Sequence, residues 1–261
     1  MTNVLAQKQP GYAAVHVRLI RGDATPEQLR AVARAAREFG DGAVRSTNQQ
    51  NFLLRWIADD ALPAVHALLA GSELALPGAE RLIDVTACPG ADTCQLGITS
   101  SRALALAVAE TIEQEIGDLA DEAGIRVKIS GCPNSCGQHH IANIGFYGGA
   151  RKFHGEQAPT YQMLVGGGLG PGPLRFGTPV ARIPAKNVPA AVKTLLDLYR
   201  RERSAGELFN AFVDRVGMGR VKAALAPWTE LPSSSEAPDK YLDWGADQSF
   251  KIETGAGECA A

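Results

Sequence analysis

The chain has 261 residues and a formal net charge of −2, and 45% of its residues are hydrophobic. This is an ordinary globular composition, long enough for one large domain or two modest ones. The near-neutral charge gives no overall reason to expect nucleic acid or an acidic membrane as a partner. No apolar run approaches the ~20 residues that span a bilayer, and the N-terminal sequence lacks the layout of a signal peptide. We therefore expect a cytoplasmic protein whose thiols stay reduced.

The first eighty residues predict a strand, a helix, a strand and a second helix, at 13–20, 25–40, 51–57 and 60–71. Thr25 and Gln28 form a capping box around Pro26 at the start of the first helix. The apolar stripe of that helix is expected at Leu29, Val32, Ala33 and Ala36. This β-α-β-α order is typical of one half of a split α/β sandwich.

A break rich in proline and glycine at residues 74–80 precedes a second region. Here the pattern predicts helices and strands in a mixed order, followed from Pro227 by a polar tail that is either wrapped over the domain or loosely held. The helices are expected at 99–124, 187–204 and 206–217, and the strands at 125–131, 142–149 and 160–168. We thus expect three parts, residues 1–78, 79–226 and 227–261.

Four cysteines fall into two pairs, Cys88-x5-Cys94 and Cys132-x3-Cys136, while Cys259 stands apart near the end. Three interpretations compete. A zinc site uses four thiolates, but x5 is wide for its tight turns, and two disulfides do not suit a reducing compartment. A four-iron cluster fits best because its thiolates must reach the corners of a cube. Each pair follows a strand, which would bring both cysteine loops to one sheet edge.

The two cysteine motifs lie in "ACPGADTCQLGITSSRA" and "VKISGCPNSCGQHHIANIGFYGG". Both spacing and flanking residues resemble the cluster-and-haem domain of the sirohaem-dependent sulfite and nitrite reductases. Residues 22–57 are similar to the ferredoxin-like half-domain of these enzymes, and the predicted helices after residue 187 are similar to their closing helices. The resemblance implies an α+β fold, a ferredoxin-like half-domain followed by an α/β sirohaem and 4Fe–4S domain.

The resemblance also implies the cofactor ligands. Cys88, Cys94, Cys132 and Cys136 would hold a 4Fe–4S cluster, and Cys136 would in addition ligate the sirohaem iron. Further residues match a family motif in "RSTNQQN" that touches the sirohaem: Arg45, Gln49, Gln50 and Asn51. Gln49 replaces the usual Arg or Asn of that motif. Arg102 and Asn134 are further candidates for binding the haem carboxylates, and the alternative for Arg102 is an ordinary solvated charge on a helix.

Arg126 and Lys128 lie two residues apart on the strand that enters the second cysteine motif, so both face one side. If that side faces the haem, they are the anion clamp, with Arg45 as a third cationic residue of the catalytic site; if it faces solvent, they are a charged strand edge. His139 and His140 follow the motif directly, and either a hydrogen-bond donor near the site or a structural histidine fits the pattern.

The resulting hypothesis is a six-electron reduction of sulfite to sulfide, which we favour slightly, or of nitrite to ammonium. The electron donor would be a ferredoxin or a separate reductase. Common members of the family contain two fused copies of this unit and this chain contains one, so a homodimer or a second reductase half is expected to complete it. The alternatives are a precorrin-3B synthase-like monooxygenase of corrin biosynthesis and a non-catalytic electron-transfer subunit.

Overall fold

A computed structural model describes residues 2–120, 122, 124–170 and 174–252 of the protein. The chain divides into two compact units, residues 1–84 and 85–261. The division lies later than the expected boundary at residue 78 because Asp84 belongs to the first unit, where its carboxylate accepts hydrogen bonds from Asn51 and the Glu80 amide. Among the helices of the described ranges, none is both long enough and apolar enough to cross a bilayer.

The first unit is a four-stranded antiparallel sheet with two helices. Its strands are β1 (Val4–Ala6), β2 (Tyr12–Val17), β3 (Val44–Ser46) and β4 (Phe52–Ala58), in the order β1-β2-β4-β3. Its helices are α1 (Pro26–Phe39) and α2 (Leu62–Ala70). The two longer strands and both helices match the sequence expectation. The three-residue strands β1 and β3 were not expected, since so few residues show no periodicity.

Helix α1 begins as its sequence predicts. The Thr25 hydroxyl accepts the Gln28 amide at 3.2 Å, and the Gln28 side chain accepts the Thr25 amide at 2.9 Å. The expected apolar stripe was wrong at its first member, because Leu29 is 47% exposed. The buried face consists of Val32, Ala35 and Ala36, which satisfy the same i, i+3, i+4 spacing one turn further along the helix.

The second unit contains a five-stranded mixed sheet. Its strands are β5 (Thr86–Ala87), β6 (Val127–Ser130), β7 (Ile144–Phe153), β8 (Glu156–Val165) and β9 (Thr178–Pro184), in that spatial order. The pairings of β5 with β6 and of β6 with β7 are parallel, and the other two are antiparallel. Strand β9 was not expected because it contains Pro179 and Pro184; it lies at the sheet edge, where proline is tolerated.

Helices α3 (Ser101–Glu115), α4 (Val188–Glu202) and α5 (Phe209–Leu225) complete the second unit. The Tyr199 ring of α4 meets the rings of Phe209 and Phe212 of α5 edge to face, with centroids 5.4 and 5.3 Å apart. The sequence placed the end of the last helix at Gly217. Gly217 has φ of 77°, so it does interrupt the helix, but the chain resumes helical geometry after this kink.

The described part of the tail is wrapped over the second unit. Leu231 and Tyr241 are buried against Phe153 and Ala158, and the Tyr241 hydroxyl donates to the carbonyl of Pro232 at 2.9 Å. The first of the two alternatives for the tail is therefore confirmed up to this point. Residues 253–261, including Cys259, lie outside the described residues.

Replacing Thr25 by alanine should lower the free energy of unfolding of the first unit by about 1 kcal/mol, because the first turn of α1 loses its capping acceptor. Urea denaturation of the full chain measures this. Arg30→Ala is the matched control, since its partner Glu27 is equally exposed and such surface pairs contribute at most ~0.5 kcal/mol. Equal losses in the two variants would contradict the capping role.

Candidate functional site

The two cysteine pairs lie at the same edge of the second sheet. Thr86 and Ala87 of β5 pair in parallel with Lys128 and Ile129 of β6. Cys88 directly follows β5, and the second pair begins shortly after β6 ends. Because the carboxyl ends of parallel strands meet at one edge, residues 88–100 (the first cysteine loop) and residues 131–138 (the second cysteine loop) are neighbours, as the sequence predicted.

One carbonyl joins the two loops. The Gly131 oxygen accepts the amides of Ile98 and Thr99 at 3.0 and 3.1 Å, and the Thr99 hydroxyl at 3.2 Å. In the reverse direction, the Gly131 amide donates to the sulfur of Cys88 at 3.2 Å. The first loop is thus bonded to the second through both polar groups of a single peptide residue.

This contact requires glycine on both sides. A Cβ at Gly131 would lie 2.6 Å from the Cα of Gly90 and 2.6 Å from the Thr99 oxygen. Gly90 has φ of +61° and is confined equally closely. The glycines beside the cysteines therefore allow backbone to pack directly on backbone, which a side chain would prevent.

The four thiols lie within electrostatic range of one another. Burial raises the pKa of Cys132, and the charges of Cys88, Cys136 and Cys94 raise it further. The backbone amide of Asn134 donates to the Cys132 sulfur and lowers this pKa in part. Cys88 and Cys132 are buried, whereas Cys94 and Cys136 are exposed. Among the described residues, which include all four cysteines, no three His, Cys, Asp or Glu side chains gather as ligands of one metal ion. Four cysteine sulfurs on two loops fit a larger centre, such as an iron–sulfur cube, whose corners all four can reach.

An amide and a serine hydroxyl lie beside the buried sulfur of Cys88. The Ser101 hydroxyl donates to the Cys88 carbonyl at 2.7 Å, and its oxygen lies 3.4 Å from the Cys88 sulfur. The Gly131 amide donates to this sulfur, and such a donor stabilises negative charge on sulfur and raises the reduction potential of a cluster bound there. No pattern in the sequence marks Ser101, which lies four residues after Gly97.

Lys128 is buried beneath the second cysteine loop, so it does not belong to a charged strand edge. It is 3% exposed, and its ammonium group donates to Gln138 Oε1 at 3.2 Å. Ser130 lies on the same side of β6 and its hydroxyl accepts the Gly137 amide. Arg126 is half-buried just before β6, and its amide donates to Asn143. This side of the strand therefore faces the cysteine loop.

The two histidines hold the end of the second cysteine loop. His139 is fully buried and its Nδ1 bonds the Ser130 hydroxyl at 2.8 Å. Burial, together with the nearby His140, lowers the pKa of His139 to about 4, so it is neutral near pH 7. The His140 Nδ1 bonds the Ser135 hydroxyl at 2.8 Å. These contacts support the structural interpretation of both residues.

The candidate residues of the first unit differ in burial and in the contacts that they make. Arg45 pairs with Asp41 at 3.1 Å and is partly exposed, while Gln49 and Gln50 form the turn before β4, with Gln50 at φ of 64°. Asn51 is 1% exposed and bonds the Leu19 amide and Asp84. Its amide group is thus engaged inside the first unit, and the cofactor contact of Asn51 stays a prediction.

Two further candidates lie next to the cysteine loops. Asn134 is exposed within the second loop, where its backbone amide faces the Cys132 sulfur. Arg102 is half-buried in the first turn of α3, which directly follows the first loop. Both positions suit a carboxylate-bearing cofactor bound beside Cys136, since each places a donor group at the same sheet edge.

Replacing Gly131 by alanine should prevent the two cysteine loops from closing, because the added Cβ would overlap the backbone of Gly90 and Thr99. We expect at least a tenfold loss of bound iron, measured on anaerobically purified protein by iron and acid-labile sulfide content. Gly117→Ala is the control, since a Cβ there meets nothing within 4 Å. Normal iron content in Gly131→Ala would contradict the close approach.

Comparison with known proteins gives a consistent assignment. Residues 78–230 match the family model "Nitrite and sulphite reductase 4Fe-4S domain", and residues 5–72 match the "Nitrite/Sulfite reductase ferredoxin-like half domain". A ferredoxin–nitrite reductase of Synechococcus elongatus is 32% identical over 164 residues, which are 63% of this chain and 31% of the relative. An assimilatory ferredoxin-dependent nitrite reductase of Haloferax mediterranei is 28% identical over 83% of this chain and 36% of its own length.

Solved structures agree. The NirA protein of Mycobacterium tuberculosis superposes with a TM-score of 0.73 at 27% identity, over 85% of this chain and 41% of that one. A dissimilatory sulfite reductase I shares the fold, with a TM-score of 0.66 at 12% identity over 90% and 76% of the two chains. The chain spans about a third of the length of the curated relatives it matches. It belongs to the sirohaem-dependent nitrite and sulfite reductase family, whose cofactors are a 4Fe–4S cluster and sirohaem.

Proposed function

We propose that the protein reduces sulfite to sulfide, or nitrite to ammonium, with six electrons and with protons that remove the oxygen atoms as water. The observation that carries the proposal is the meeting of four cysteine thiols from two loops at one sheet edge, inside a domain of this family. Relatives named ferredoxin-dependent nitrite and sulfite reductases support a small oxyanion as the substrate. They also support a ferredoxin as the donor, in a reducing compartment such as the cytoplasm.

In this proposal, Cys88, Cys94, Cys132 and Cys136 would hold the cluster, and Cys136 would also ligate the sirohaem iron. Exposure of Cys136 supports this double role, because a thiolate that binds two metal centres must present a second face. The sirohaem supplies the site at which the oxyanion accepts electrons. Carboxylates of that ring are bound by donors that we assign as Gln49, Gln50, Arg102 and Asn134.

Three cationic residues provide positive charge for the oxyanion: Arg126, Lys128 and Arg45. A buried ammonium group attracts an anion more strongly than an exposed one, because water screens it less. Lys128 meets this condition, and its ammonium group donates to the neutral side chain of Gln138. Arg45 already pairs with Asp41, which weakens its attraction for a second anion.

A second candidate function is a cluster-bearing half that acts only when another chain, or a second copy of this one, completes it. The observation that favours this alternative is length, since the chain spans about a third of its curated relatives. Size-exclusion chromatography with light scattering, combined with turnover by the isolated chain, separates the two. A chain that binds both cofactors but turns over only after a partner is added would support the second candidate.

Replacing Cys136 by serine should remove the electronic coupling between cluster and sirohaem and abolish turnover, because the shared sulfur is lost. The measurements are the visible spectrum of the anaerobic holoprotein and the oxidation of reduced methyl viologen by sulfite and by nitrite. Cys259→Ser is the matched control and should behave as the unmodified chain. Zinc in the purified protein, or iron without a macrocycle spectrum, would overturn the proposed function.

Replacing Lys128 by glutamine should lower kcat/KM for the oxyanion by about a hundredfold, because a buried positive charge facing the site is removed. The amide can still bond Gln138, so the loop should keep its geometry and its cluster. Lys152→Gln, an exposed lysine on β7, is the control and should leave steady-state kinetics unchanged. If both variants retain full kcat/KM, Lys128 is not part of the anion site.

A further inference from the structure

The C-terminal strap, residues 231–252, lies beyond the region that the family model matches. It is nevertheless bonded closely to the second unit. The Trp244 indole donates to the Ala185 carbonyl at 2.8 Å, and the Lys186 ammonium lies 4.3 Å from the centroid of the Trp244 ring. Lys240 donates to Asn187 at 2.9 Å. These contacts fix the strap on both sides of Asp243.

Asp243 connects this strap to the start of α3. It is 6% exposed; its Oδ2 accepts the Ser100 amide at 2.7 Å, and its Oδ1 accepts the Trp244 amide at 2.8 Å. In a capping box, an acidic or amide side chain at the third helical position accepts the backbone amide of the N-cap residue, which in α3 is Ser100. That position of α3 is Ala103, which has no acceptor, so Asp243 provides it from 143 residues away.

Ser100 stands at the point where the first cysteine loop becomes α3. Its hydroxyl donates to Asp92 at 2.6 Å, inside the loop. Its neighbour Thr99 bonds Gly131 of the second loop, and its other neighbour Ser101 bonds Cys88. Three consecutive residues therefore tie together the strap, both cysteine loops and a cluster ligand, and Asp243 holds the middle one.

Asp243 and Cys88 have a buried neighbour in common, Tyr161. Complete burial raises the pKa of Tyr161 well above its usual range, and the charges of Asp243 and Cys88 raise it further. The charges of Asp243 and Cys88 therefore both act on the Tyr161 phenol. Between buried groups, charge interactions are poorly screened, so a carboxylate here opposes the addition of an electron to a cluster on Cys88.

We propose that Asp243 is a positioning residue for the iron–sulfur cluster: it fixes the first cysteine loop through Ser100, and its negative charge lowers the cluster's reduction potential. The proposal rests on the cysteine assignment but requires neither sirohaem nor oxyanion turnover. A cavity of about 740 Å³ lies between the strap and the first loop, and Asp243 lines it together with Ala91, Ile98 and Gln248.

The test compares Asp243→Ala, Asp243→Asn and Asp247→Ala in the full chain carrying its cluster. The rate of iron loss to a chelator reports on positioning, and a redox titration followed by electron paramagnetic resonance gives the cluster potential. Asp243→Ala should lose iron about fivefold faster, the size expected for a lost helix-cap acceptor. Asp243→Asn keeps one acceptor oxygen and should restore most of the retention.

Both variants at position 243 should have a more positive cluster potential, because each lacks the carboxylate charge, whereas a purely structural role would leave the Asn variant at the original value. Asp247 is exposed, so its replacement should change neither quantity. An unchanged potential in Asp243→Asn, or unchanged iron loss in Asp243→Ala, overturns the proposal while the cysteine assignment stands. Absence of a cluster from the unmodified chain overturns both.

Discussion

The carbonyl oxygen of Gly131 accepts three hydrogen bonds from the other cysteine loop, and the rest of the site depends on that contact. It aligns Cys88 and Cys132, which follow adjacent parallel strands, and it positions the Gly131 amide on the Cys88 sulfur. The contact exists because two glycines meet without side chains between them. The absence of side chains at the two glycines allows the loops to approach each other, and the hydrogen bonds from the amides keep them together.

The site is asymmetric with respect to solvent, and this asymmetry suits electron transfer. Cys88 and Cys132 are buried and surrounded by donors, whereas Cys94 and Cys136 are exposed. A centre bound by these four sulfurs would have a protected side, where donors tune its potential, and an accessible side, where a second cofactor and an electron donor can approach. Lys128 and the neutral His139 support the second loop from beneath, so the accessible side is backed by a rigid sheet.

The C-terminal strap lies beyond the region that the family model matches. Asp243 of the strap supplies an acceptor to the start of α3 from a distant part of the sequence, and so connects the strap to the end of the first cysteine loop. A carboxylate placed there both orders the loop and adds negative charge near the cluster. Positioning and tuning of the potential are thereby combined in one side chain.

The sequence by itself determined the features that depend on local patterns. The capping box of α1, the strand before each cysteine pair and the meeting of the two loops follow from residue spacing, and the cysteine motifs indicated the family. The short strands β1 and β3 and the proline-containing edge strand β9 carried no such pattern, because their pairing partners, and not their own residues, make them strands.

Only the tertiary structure decided which polar side chains are buried and which partners they bond. Asn51 belongs to the same sequence motif as Gln49 and Gln50, yet burial against Asp84 engages it inside the first unit. The sequence left open whether Lys128 faces solvent or the site, and its burial beneath Gln138 decided against solvent. Asp243 has no local signal at all, since its partner is 143 residues away. Spacing along a chain fixes local geometry, whereas burial and long-range partners arise only when distant segments pack together.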